Sequence, residues 1–175
     1  APKKVHLVGH STGGILLAYL LQALVRMRIK TRIASVNLLA PAATVALYES
    51  HLLPLLKAPA SRLGVDQMNI YNLDEKLELD DQVVMVYRKS LLYLVSNAFE
   101  EEREAPLLGM KKFTKAIDPP PNLEFIYSSG PERNKRSQSS THGGFDNDPF
   151  TMNDVLRTVL GGEPEVPFTE KNLDY

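Results

Sequence analysis

Near the start of the chain, Gly9-His10-Ser11-Thr12-Gly13 fits the pattern G-x-S-x-G. A serine in this setting can become a nucleophile when a strand turns sharply into a helix at that point. The flanking residues support such a turn. Val5 to Val8 is a short apolar run with a β-branched residue at each end, and it reads as a buried strand. From Thr12 to about Arg28, Leu, Ala and Tyr recur at helical spacing, and Arg26, Arg28 and Lys30 gather at the C-terminal end, where the helix dipole favours cations. The turn would lift the Ser11 hydroxyl above the sheet. It would also aim the Thr12 amide, at the helix N-terminus, toward an oxyanion forming on an attacked carbonyl.

A serine hydroxyl needs a base within hydrogen-bond reach, and the chain has 4 histidines. His6 lies inside the first strand and reads as structural. His10 belongs to the motif itself; its ring cannot fold back onto Ser11, but it can shape a substrate pocket. His51 falls on a helical stretch and reads as a surface or capping residue. His142 remains, in a polar loop with two following glycines (THGGFDNDPF). The chain contains no cysteine, which excludes disulfides, thiolate metal sites and a cysteine nucleophile. Asp146 and Asp148 invite a metal reading, but a calcium loop needs further oxygen ligands that do not follow. Asp148 reads instead as a helix cap, so no metal and no cofactor are expected.

The elements that must position these groups alternate in type. After the first strand and helix, Arg32 to Leu39 reads as a second strand, and Ala42 to Lys57 as helical up to Pro54. Gln67 to Leu73 reads as a third strand and Asp81 to Phe99 as a surface helix. Leu123 to Tyr127 gives a fourth strand, Ser128 to Thr141 a polar loop, and Asp148-Pro149 opens a last helix that Gly161-Gly162 ends. Strands separated by helices predict an α/β fold, a single domain with a parallel sheet covered by helices. The 175 residues suit one core, and 43% hydrophobic with 23% charged residues is an ordinary globular composition. A net charge of -1 gives no electrostatic reason to expect nucleic acid as a partner. The longest apolar run, Gly14 to Val25, is too short to span a bilayer.

GHSTGG after KKVHLV, then a helix and a strand ending in LLAPA, resembles the lipases, esterases and related α/β-hydrolases. The resemblance implies the order serine, acid, histidine, each after a strand. It makes Ser11 the nucleophile, His142 the base and Asp74, just past the third strand, the acid that orients the ring. Glu75 is adjacent but would point differently. Asp80 and Asp81 read as caps of the next helix, and Asp118 is a rival acid that precedes the fourth strand. In that family several strands precede the serine and an early loop supplies a second oxyanion donor. The chain therefore reads as the C-terminal portion of such a fold, with Thr12 alone as donor. An apolar edge at Val5 to Val8 would then be covered by a partner chain or by an N-terminal fragment of the same protein.

The activity implied is hydrolysis of a carboxylic ester, a small or lipid-like molecule, through an acyl-enzyme. An acyltransferase, peptidase or thioesterase would use the same residues, and a non-catalytic binding or interaction protein is the alternative of a different class. Residues 42–66, rich in leucine, read either as a lid lining an acyl pocket or as a helix packed on the sheet. The polar segment PERNKRSQSS reads as a solvated flap.

Overall fold

The apolar runs of the sequence become strands, and those of the main sheet all lie parallel. The computed structural model describes residues 3–81, 90–100, 102–130 and 135–173. Its main sheet has the order β1 (His6–His10), β3 (Ser35–Leu39), β5 (Met68–Leu73), β6 (Leu123–Ser128). A small second sheet pairs β2 (Arg32–Ile33) with β4 (Gly64–Val65). Every residue of β3 and β5 is buried, as expected of parallel strands covered on both faces.

Alternation along the strands divides the core in two. Val36, Leu38, Met68 and Ile70 meet Leu17, Ala18 and Leu21 of α1 (Gly13–Arg26) on one face. Leu39, Tyr71 and Leu73 meet Phe145 and Val155, the latter on α7 (Pro149–Leu160), on the other. Each fully buried leucine contributes roughly 2 kcal/mol to this packing. The α/β fold with helices flanking a parallel sheet is thus as the sequence predicts. At the sheet edge, β1 pairs with β3 alone among the described strands, and Val5 and Val8 stay 39% and 47% exposed.

Two glycines bring α1 close to the strand ends. A Cβ on Gly9 would lie 2.9 Å from the Gly13 carbonyl and from Leu17 Cδ1, and one on Gly14 would lie 2.8 Å from Pro41 Cβ. Gly9→Ala is therefore expected to lower stability by about 2 kcal/mol, because backbone rather than a flexible side chain must yield. Urea denaturation of the two proteins measures it; an unchanged midpoint would mean that α1 is free to shift.

Local signals explain the last helix in full. Asp148 caps α7 by accepting from the Phe150 and Thr151 amides, Pro149 occupies its first turn, and Gly161 ends it at φ 71°.

Elsewhere the structure departs from expectation. The second strand breaks at Ala34, where β2 leaves for the small sheet and β3 begins. Pro54 does not end the second helical stretch. A π turn (Tyr48–Leu52) between α2 (Val45–Leu47) and α3 (Leu53–Leu56) resets the bonding so that the proline falls in the first turn of α3. In residues 42–66, Leu52, Leu55 and Leu56 are core residues, which is the packed-helix alternative. The helix expected over Asp81 to Phe99 falls in part outside the described residues. Asp81 ends α4 (Glu75–Asp80), residues 82–89 lie outside the described residues, and α5 (Leu91–Leu94) starts after Ser90 and continues as a π turn (Val95–Phe99). With Leu92 and Tyr93 buried, α5 is a core element. Two further short helices, α6 (Lys111–Thr114) and α8 (Glu170–Leu173), complete the described chain. Among the described residues no helix is long and apolar enough to cross a membrane.

Candidate active site

The parallel register brings the C-terminal ends of β1, β3, β5 and β6 together, and the loops that follow them form the site. Ser11 occupies the turn from β1 into α1 with φ 54°. That left-handed conformation costs a residue with a side chain on the order of 1 kcal/mol or more. Neighbouring backbone holds it there: the Ser11 amide donates to the Leu39 carbonyl (2.9 Å), and the Ser11 carbonyl accepts from Gly14 (3.1 Å) and Ala42 (2.9 Å). The glycine-flanked motif thus folds as the sharp strand-to-helix turn that the sequence predicts. Ser11 is half-buried and Thr12 exposed. The Thr12 amide has no acceptor among the described residues, which leaves it available to an oxyanion.

His142 reaches this serine from the far end of the chain. It opens a 3-10 turn (His142–Gly144) between β6 and α7, and its Nε2 lies 3.0 Å from Ser11 Oγ. For Nε2 to accept the hydroxyl proton, Nδ1 must carry the ring proton, and Nδ1 is buried with no partner among the described residues. Burial, with the neighbouring His10 acting in the same direction, pushes the His142 pKa down to about 4, against the pull of Asp81 and Asp146. The ring is consequently a free base at neutral pH.

The loop carrying His142 is not the solvated flap expected from its composition. Ser137 and Ser139 are buried, and the Ser128 hydroxyl donates to the Ser139 (2.6 Å) and Ser137 (3.3 Å) carbonyls. The Gln138 amide donates to Asp148 (2.6 Å). Arg136 is engaged by Asp154 (Nε to Oδ2, 3.0 Å) and by Glu124. Asp154 also accepts from the buried Tyr71 hydroxyl (2.7 Å), so the Arg136 charge is met within the fold. Residues 131–134 of that segment lie outside the described residues.

Asp74 sits where expected, directly after β5, but its carboxylate caps α4 by accepting from the Leu77 amide (3.0 Å). No contact with His142 is found for it. The carboxylate that does reach His142 belongs to Asp81, one short helix later: its Oδ2 accepts the His142 main-chain N–H at 2.8 Å. α4 returns the chain from the end of β5 to the serine, and that return is what the sequence reading lacked. A carboxylate eight positions beyond the strand was visible, but it was read as a cap.

His10 is not separate from His142 either. Its Nε2 lies 2.9 Å from the His142 carbonyl, and its Nδ1 lies 3.6 Å from Asp146 Oδ2. His6, as expected, takes a structural part, with Nδ1 2.8 Å from Ser35 Oγ. His51 is half-buried, with Nδ1 2.8 Å from Ser50 Oγ. Among the described residues no three His, Asp or Glu side chains converge as metal ligands. A cavity of about 500 Å³ lies between Val25, Ile29 and Leu63, at the opposite end of α1 from Ser11, and takes no part in the site.

No protein-family model matches the chain, and comparison with curated proteins and with solved structures gives no match.

Proposed function

We propose that the protein is a serine hydrolase of the α/β-hydrolase kind, cleaving a carboxylic ester through an acyl-enzyme. The observation that carries this reading is the 3.0 Å approach of His142 Nε2 to the hydroxyl of a serine held at φ 54° in a strand-to-helix turn. Two residues 131 positions apart meet in the geometry of nucleophile and base.

In this reading Ser11 Oγ attacks the ester carbonyl while its proton passes to His142 Nε2. The oxyanion of the tetrahedral intermediate accepts from the Thr12 amide at the N-terminus of α1. Collapse breaks the ester C–O bond, and His142 gives its proton to the departing alcohol. Water then attacks the acyl carbon, again losing a proton to His142. Release of the acid returns that proton to Ser11. Asp81, already bound to the His142 main chain, takes the part first assigned to Asp74: it anchors the loop and its charge favours the imidazolium. A small or lipid-like ester remains the proposed substrate class. The exposed apolar edge of β1 supports covering by a further strand, from a partner chain or another segment of the same polypeptide.

The test is intact-mass analysis after reaction with a fluorophosphonate, comparing the chain with Ser11→Ala. One adduct on the chain and none on the variant is the expected result. A folded chain that takes no adduct would overturn the catalytic reading in favour of a binding role for the same fold.

A further inference from the structure

His10 ends β1 and is covalently joined to Ser11, yet its side chain faces the loop from the other end of the chain. A carbonyl oxygen can only accept, so the 2.9 Å approach to the His142 carbonyl makes His10 Nε2 an N–H donor. On the other side of the ring, Asp146 Oδ2 faces Nδ1 at 3.6 Å. The two imidazoles lie with centroids 5.4 Å apart and planes tilted by 33°. The main chain of His142 is therefore gripped at both polar groups by side chains from different elements. Asp81 at the end of α4 takes its N–H, and His10 at the end of β1 takes its C=O. Such a grip has a purpose here, because Gly143 and Gly144 follow and supply no side-chain packing of their own. The space around the missing Cβ of Gly143 is open.

We propose that His10 is a positioning residue that holds His142 over Ser11 through the His142 carbonyl, with Asp146 backing its ring. In this role it acts through the base, not on the substrate. The arrangement also has an electrostatic side. The titratable groups that act on the His142 ring are His10 from β1, Asp81 from the end of α4 and Asp146 from its own loop. Of these only His10 opposes a proton on His142, whereas the two carboxylates favour it. Reading the effect through Ser11 rests on the serine-hydrolase proposal; the grip on the loop does not.

The experiment compares the chain with His10→Ala and His10→Gln by two readouts, the rate of Ser11 phosphonylation as a function of pH and the NMR titration of the His142 ring. Glutamine keeps an N–H donor at the same covalent reach but cannot carry charge. Alanine is expected to slow phosphonylation roughly ten- to a hundredfold, the scale of a small misplacement of a reacting group, and glutamine to restore most of that loss. In both variants the proton affinity of His142 should rise about threefold or more as the opposing ring disappears. If alanine fails to fold, the displaced midpoint in the glutamine variant carries the decision. Should the parent chain take no phosphonate, the hydrolase reading falls and His10 is judged on the titration alone. A folded alanine variant with parental rate and parental His142 titration would overturn the proposal.

Discussion

Asp81→Asn is expected to slow phosphonylation and ester turnover roughly tenfold, whereas Asp74→Ala leaves both within about twofold. The contrast follows from what each carboxylate does. Asparagine at 81 still offers an oxygen to the His142 main-chain N–H, so the loop stays in place. It loses the negative charge that favours a proton on the ring. A carboxylate that favours the imidazolium through space, without a bond to the ring, is worth on the order of one pKa unit, about tenfold. Asp74 has its effect at the start of α4, where removal of a capping oxygen costs about 1 kcal/mol of stability and leaves His142 untouched. Rates measured per folded molecule, together with urea midpoints, separate the two. The opposite pattern would return the role of acid to Asp74 and leave Asp81 as a main-chain anchor only.

The second large effect is on stability and comes from Glu78, on α4 beneath Asp81. It is buried, accepts from the Ser90 hydroxyl, and has its other oxygen unpartnered among the described residues. Burial pushes its pKa up to about 7, with Asp81 adding in the same direction and the Ser90 hydrogen bond opposing. The folded chain therefore holds this proton between the ordinary value of 4.5 and about 7, while the unfolded chain has lost it. Stability from this group falls as pH rises through that window, by on the order of 3 kcal/mol. His142 acts in the opposite sense: buried as a neutral ring, it makes stability rise with pH between about 4 and the ordinary 6.5. Where the windows overlap, the two slopes oppose each other. Glu78→Gln removes one of them. The variant is expected to be about 1 to 3 kcal/mol more stable than the parent in mild alkali. Its stability should also climb with pH through the acid range, where these two groups in the parent balance. Urea unfolding at several pH values measures both. A parallel pair of pH curves would show that Glu78 is ionised in the folded chain without penalty.

Much of the site was legible because its signals are local. The motif at Ser11, the strand before it and the helix after it are contiguous, and so are Asp148, Pro149 and Gly161, which start and stop α7. His142 was found by elimination and family order. What escaped depends on how the chain returns in space. Asp74 and Asp81 are both acidic residues after β5, and only the path of α4 decides which of them meets the histidine. The bond from His10 to His142 joins residues 132 positions apart, and no spacing rule announces it. The polar segment before His142 was read as solvated because serine and arginine are usually exposed. Here a buried hydroxyl on β6 and carboxylates at Asp148 and Asp154 satisfy it from within. Pro54 misled for a similar reason, because the π turn that accommodates it has no sequence signature of its own.

The seat of Ser11 is made only in part by its own strand and helix. Its amide and carbonyl are tied to Leu39 and Ala42, and Ala40 between them is itself held at φ 40° by a 2.7 Å bond to the Tyr71 carbonyl of β5. A chain that had formed β1 and α1 alone would display the motif without the conformation. The conformation of Ser11 is thus a late product of assembly, and the phosphonate reactivity proposed for it would be a clock for the docking of three strands rather than for the formation of any one.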